Sequence, residues 1–169
     1  MAVDFFQEKC QIRNIREKRF GICDEEDTNV KTPAYIETRD ESKWIAIVKN
    51  ETENAIHFTA VDNCVVITRP DGNMENRCDA ILRCGDHIVF VELKDQQKDW
   101  ITHAVDEQLQ NTIDHFKENH NIQAYKYRRA FVCNRKHPNF KTSYKDKMNT
   151  FYKKNGIRLN LMQEIVFDK

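Results

Sequence analysis

A mixed α/β fold, α+β in the sense of a central mixed β-sheet flanked by helices, is what this sequence predicts, and three observations carry the prediction. Between residues 44 and 94 the apolar residues come in runs of strand length separated by turn signals. After Lys94 the apolar spacing changes to a helical stripe. Beyond that stripe the chain offers another strand, another helix and a strand-rich end.

Taken in order, residues Val3 to Lys18 carry helical candidates in Phe5, Phe6, Lys9 and Ile12, without a clean stripe. Residues 23–43 are polar, include Pro33 and read as a loop, with a short extended piece around Tyr35-Ile36. Trp44 to Val48 predicts a strand, residues 50–54 a turn, and Ala55 to Ala60 its hairpin partner. Cys64 to Thr68 is a continuous apolar run, read as a strand and ended by the turn Pro70-Asp71-Gly72-Asn73. Cys78 to Arg83 and His87 to Lys94 are strands joined tightly at Gly85-Asp86. Both faces of these strands are apolar, which predicts a sheet covered on each side. Ile101, Val105, Leu109, Thr112, Ile113 and Phe116 then line a helix starting near Asp99, a residue able to cap it. Asn119-His120-Asn121 ends that helix, and Tyr127 to Cys133 is the next strand. Ser143 to Lys154 reads as a helix closed by Asn155-Gly156, followed by a strand-rich segment from Ile157 to Phe167. The expected organisation is one domain, with a β-containing N-terminal extension (1–60) on a core (61–169).

Composition narrows the function classes. Of 169 residues, 32% are charged and 40% hydrophobic, a balance that suits a globular chain rather than a disordered one. The longest apolar runs, such as Ile88–Val91, are far too short for a membrane span. The opening residues have no basic region and no long apolar region, so no signal peptide and a cytoplasmic location are expected. Cysteines at 10, 23, 64, 78, 84 and 133 form no CxxC pair, and free buried thiols are expected rather than zinc or disulfides. Net charge is zero, which argues against an indiscriminate polyanion binder. The charge is unevenly spread, however. Acidic residues gather at Asp24-Glu25-Glu26-Asp27, whereas residues 117–158 hold twelve Lys/Arg against Glu118 and Asp146, interleaved with aromatics. That stretch is either a solvated basic surface over core aromatics or a footprint for a phosphate backbone. In the second reading Arg128, Arg129, Arg135 and Lys136 bind substrate.

The chemistry concentrates on the strand pair joined at Gly85-Asp86. If the turn centres there, residue 79 lies across from residue 92, so Asp79 and Glu92 become cross-strand neighbours. Alternation puts Ile88, Phe90, Glu92 and Lys94 on one face. Two carboxylates at the end of an apolar hairpin repel, and a divalent cation is the usual remedy. Lys94 adds a positive charge beside them. The bland alternative is a surface ion pair of Glu92 with Lys94 or Arg83, worth little. Asp62 reads as a turn former, Asp86 and Asp95 as loop carboxylates, and His87, His103 and His115 as surface or capping residues.

Asp79, followed after a strand-turn-strand interval by Glu92-Leu93-Lys94 at the end of an apolar run, resembles the PD-(D/E)xK nuclease superfamily. The resemblance covers about Cys64 to Cys133 and implies a restriction-endonuclease-like core. It implies magnesium, with manganese as a substitute, held by Asp79, Glu92 and the main-chain carbonyl of Leu93, with Lys94 assisting the attacking water. Cys78 stands where many relatives have Pro. Gln108 matches a helix Gln of many relatives and joins the candidate catalytic set, but Thr112 stands where one branch has Tyr, so no branch is assigned. The implied reaction is hydrolysis of phosphodiester bonds in nucleic acid, DNA ahead of RNA, with endo- or exonucleolytic action open. The expected partner is nucleic acid and no membrane, with a homodimer or a larger complex left open. The competing expectation is a non-catalytic nucleic-acid-binding or scaffold protein that keeps the fold.

Overall fold

A computed structural model describes residues 2–25, 29–138 and 144–169. Glu26, Asp27, Phe140, Lys141 and Ser143, which entered the sequence reading, lie outside the described residues. The strands are β1 (Gln11–Ile15), β2 (Arg19–Cys23), β3 (Tyr35–Glu37), β4 (Ala46–Asn50), β5 (Ile56–Ala60), β6 (Ala80–Cys84), β7 (His87–Lys94), β8 (Tyr127–Asn134), β9 (Arg158–Asn160) and β10 (Glu164–Phe167). A π-helical segment, Ala104–Leu109, runs directly into α1 (Gln110–Asn119), and α2 spans Lys145–Asn155. None of the described helices is long and apolar enough to cross a membrane.

The architecture is mixed α+β, with two mixed sheets. The larger has the order β1-β5-β6-β7-β8-β9, antiparallel up to β7 and parallel from β7 to β9. The smaller has the order β10-β4-β2-β3. The alternation of β7 explains the layering. Ile88 and Phe90 join Val105, Leu109, Ile113 and Phe116 in a core on the helix side. Val89, Val91 and Leu93 join Phe20, Ile22, Val48, Ile165 and Phe167 in a core against the small sheet. The large sheet is therefore covered on both faces, by helices on one and by a second sheet on the other, rather than by helices alone. Phe116 anchors the helical layer, its ring centroid 5.4 Å from Phe90 and 5.5 Å from Phe5. Each such fully buried side chain contributes roughly 1.5–3 kcal/mol relative to exposure.

Several local expectations change. Residues Val3 to Lys18 form a short 3-10 turn at Glu8–Cys10 and then β1, not a helix. β4 and β5 are not a hairpin, because they lie in different sheets and face each other across the core through Val48 and Phe58. The Asn50–Asn54 connection is held by its own side chains, with Thr52 N–H donating to Asn50 Oδ1 (2.9 Å) and Asn50 Nδ2 to Asn54 O (2.7 Å). Residues Cys64 to Thr68 make no strand. Val65 and Ile67 are buried by a chain that turns at Val61–Val65 and bridges only Thr68 to Met74. The helix after β7 begins past Asp99, which is not its cap and sits at φ 55°. Cys10 and Cys64 are joined in a disulfide, whereas Cys23, Cys78, Cys84 and Cys133 are free and buried. Pairing of β1 with β5 brings Cys10 beside the turn that follows β5, a proximity across 54 residues that spacing alone does not reveal.

Gly21 in β2 passes directly under Trp44, and a Cβ there would overlap the indole ring. Gly21→Ala is expected to lower stability by about 1–3 kcal/mol, since a packed ring must move for one methyl group. Urea denaturation of the variant with an unchanged midpoint would show that Trp44 is free to shift.

Candidate active site

Strand register sets the site. Ala80 pairs with Val91 and Ile81 with Phe90, and one step further the Asp79 N–H donates to Val91 O (3.0 Å). Asp79 therefore stands at the mouth of β6, across from Glu92. Asp79 is 7% exposed and Glu92 1%, so the pair is buried at a strand end rather than displayed on a surface.

Short polar contacts fix each of these side chains. The Leu93 N–H donates to Asp79 Oδ2 (2.7 Å). Lys94 Nζ lies 3.2 Å from Glu92 Oε1 and donates to Gln108 Oε1 at 2.9 Å. The Glu92 and Asp79 carboxyls are within hydrogen-bonding reach of one another, and Glu92 Oε2 receives no N–H donor from the described residues around it. Main-chain groups of one strand residue point to the same side, so Leu93 O is directed with its N–H toward Asp79. Lys94 O is directed the other way, where it accepts from Arg135 N–H. Asp79, Glu92, Leu93, Lys94 and Gln108 are thus brought together.

Two further residues hold them. Thr112, fully buried, accepts from the Cys78 N–H (2.8 Å) and donates to Gln108 O (2.8 Å). It ties the entry of β6 to the helix carrying Gln108, from the first turn after that helix passes from π to α geometry. Asn134, level with Lys94 in the register, donates through Nδ2 to Gln96 O (2.7 Å) and accepts from Lys136 N–H (3.0 Å). It fixes the loops after β7 and β8. The sequence reading missed both as supports; the available signals were a polar residue directly after the apolar run for Asn134, and a position one turn after Gln108 for Thr112.

The basic residues do not form one face. β7 and β8 are parallel, so Arg135 and Lys136 lie at the Lys94 end, and Arg128 and Arg129 at the opposite end. Arg135 pairs with Asp95 (2.5 Å) and donates to Ser42 O, while Lys136 is exposed. Arg129 turns toward the small sheet, donating to Val166 O (2.9 Å) beside the Phe131 and Phe167 rings. It bridges the two sheets.

Burial raises the Asp79 carboxyl from its ordinary 3.8 to about 7, with the negative charges of Asp24 and Asp62 adding to the rise against the Leu93 hydrogen bond. Burial also raises Glu92 well above the ordinary range, with the Asp79 charge adding and Lys94 opposing. Asp62 is itself held by Arg77 at 2.9 Å. Two carboxyls that resist ionisation together call for a proton or a cation between them. Among the described residues, no three His, Cys, Asp or Glu side chains gather into a metal-binding group.

In comparisons with known proteins, the chain matches no family model, no curated protein and no solved structure.

The raised carboxyls have a defined effect on stability. Between the unfolded value near 3.8 and the folded value near 7, the folded protein binds protons that the unfolded chain has released. This contribution is complete at low pH and is lost as pH rises through the folded value. With a chelator present, the thermal midpoint is expected to fall from about pH 4 to about pH 7, and Asp79→Asn to flatten that fall. Parallel wild-type and variant curves across this interval would mean that Asp79 ionises freely.

Proposed function

We propose that this protein is a divalent-metal-dependent nuclease of the PD-(D/E)xK type. The observation that carries the reading is the buried Asp79–Glu92 pair at a sheet end, its carboxyls within reach of one another and Lys94 against Glu92. The residues fit magnesium. Two carboxylates and the Leu93 carbonyl leave the remaining positions to water and substrate oxygens, a ligand set that suits this ion. A bound magnesium ion would supply Lewis-acid stabilisation of phosphoryl charge and lower the pKa of attacking water.

The chain's own residues have separable roles. Asp79 is held in place by the Leu93 N–H, and Glu92 by Lys94. Lys94, bound to Gln108, is placed to stabilise charge growing on a phosphate oxygen or to orient water. Gln108 limits the swing of the lysine, and Thr112 limits the swing of the helix. Asp79, Glu92 and Lys94 share the helix-side face of the strand pair, so a scissile phosphate would approach from beside Gln108. The two bonds to Lys94 and the 1% exposure of Glu92 separate this arrangement from an exposed ion pair.

Single- and double-stranded DNA and RNA should be assayed with magnesium and with manganese. Cleavage is expected, with Asp79→Asn, Glu92→Gln and Lys94→Ala each lowering the rate by about 100-fold or more. Manganese at about 100 times its dissociation constant should stabilise the wild type by about 2.7 kcal/mol and the double variant Asp79→Asn/Glu92→Gln by much less. No cleavage together with no metal-dependent shift in melting would leave the non-catalytic binding or scaffold reading.

A further inference from the structure

At the opposite end of the same strands is a second concave site that the nuclease reading does not use. A cavity of about 340 Å³ is lined by His87, Lys126, Tyr127, Arg128, Arg129, Tyr152, Gly156, Arg158 and Asp168. It lies where β7, β8 and β9 begin, with Arg129 level with Arg158 in the register. Glu92 lies five residue steps along β7 from His87, so the two sites are about 17 Å apart along the strand.

Four of the lining residues are Lys or Arg, and Asp168 is the single acidic one. Lys126 and Arg158 are exposed, and Arg128 spends one guanidinium nitrogen on Gln123 Oε1 (2.6 Å). Arg129 donates through one nitrogen to Val166 O, while its Nε and Nη2 are buried without hydrogen-bond partners. His87, 9% exposed, is stacked on Tyr127 at 4.7 Å, and its Nδ1 is likewise buried without a partner. Expected from sequence as a surface or capping residue, His87 is instead part of this wall. Tyr127 and Tyr152 keep 42% and 52% of their surface exposed. The partnerless nitrogens of Arg129 and His87 are closed to a ligand, so the cations a phosphate could meet are Lys126, Arg128 and Arg158, and the exposed Tyr152 ring beside them suits a planar base. Gly156, the left-handed C-cap of α2 at φ 67°, has no atom within 4 Å of where a Cβ would stand, leaving the rim open.

We propose that this cavity binds a nucleotide unit, its phosphate on Arg128, Arg158 and Lys126 and its base against Tyr152, since the Tyr127 ring already carries His87 and the Lys126 ammonium. Two sources share that chemistry, a free mononucleotide and one residue of a nucleic-acid strand. The proposal is independent of catalysis at Asp79 and Glu92. Arg129 and His87 form the wall behind the phosphate and are too buried to serve as clean test positions. Arg158 and Tyr152 are exposed, so their replacement removes little packing.

The test titrates wild type, Arg158→Glu and Tyr152→Ala with adenosine monophosphate and, separately, with a fluorescent twelve-nucleotide single strand of thymidines. All are measured without divalent ions, and circular dichroism and melting confirm each fold. Adenosine monophosphate binding that weakens tenfold or more in both variants identifies a free-nucleotide site. Binding of the strand alone, with the same losses and a salt slope shallower in Arg158→Glu, identifies a strand contact. Equal affinities of wild type and folded variants for both probes, or no binding of either, would overturn the proposal. Cleavage by Arg158→Glu reads the other site separately: intact cleavage with lost nucleotide binding supports the proposal, and a wild type that binds nucleotide, loses that binding in Arg158→Glu and never cleaves would sink only the nuclease reading.

Discussion

Two carboxyl groups buried at the end of an apolar strand pair are the constraint that the surrounding structure serves. Asp79 and Glu92 gain nothing from the hydrophobic cores above and below them, and burial resists their charge. Their position is over-determined instead. The Asp79 backbone is fixed on both sides, donating to Val91 O and accepting from the Val61 N–H. The Val61 turn is tethered in its turn by the Cys10–Cys64 disulfide, which in the chain-entropy view is worth about 4 kcal/mol for a loop of this length. The helix side is fixed through Thr112 and Gln108. A site held from the N-terminal segment, the helix and the neighbouring strand at once keeps two like-charged groups together at a cost the rest of the fold offsets. Such tension is commonest where chemistry needs it.

The three-layer arrangement follows from the strands that supply this site. β7 is polar only at its ends, at His87 and at Glu92 and Lys94, so both of its faces need cover. Helices supply one cover. The other comes from a sheet assembled from both ends of the chain, β2 to β4 together with β10, which pairs in parallel with β4. The segment expected as an N-terminal extension thus contributes β1 and β5 to the large sheet and most of the small one.

The local strand pair was legible because its information is local. The Gly85-Asp86 turn, with Gly85 at φ 55°, sets the register, and register sets which side chains meet. Asp79 and Glu92 followed from counting across that turn, Lys94 from alternation along the strand, and Gln108 from the family resemblance, which puts a Gln on this helix. What sequence could not show depends on contacts distant along the chain. The turn at residues 50–54 looks like a hairpin whether the next strand returns beside the first or crosses to another layer. Val65 and Ile67 look like a strand although only their burial is satisfied, without a ladder. Cys10 meets Cys64 only because β1 pairs with β5. Arg128 and Arg129 stand close to Arg135 and Lys136 in a count of charges, yet β8 runs between them and places them at opposite ends.

That separation gives the large sheet an electrical polarity. At the C-terminal end of β7 the buried groups are acidic, with Lys94 and the Arg135–Asp95 pair beside them. At its N-terminal end the wall is cationic, with Asp168 as the lone lining counter-charge. A neutral net charge therefore hides two sites of opposite demand, one short of positive charge and one short of negative charge. Burial sharpens both, because Glu92 Oε2 receives no N–H donor and Arg129 Nη2 meets no acceptor where water would otherwise provide one. Parallel strands bring their beginnings to one edge and their ends to the other, so β7, β8 and β9 keep these two demands apart on one rigid support. A change at Arg158 and a change at Lys94 should consequently add without coupling, as sites beyond about 10 Å with no shared partner generally do.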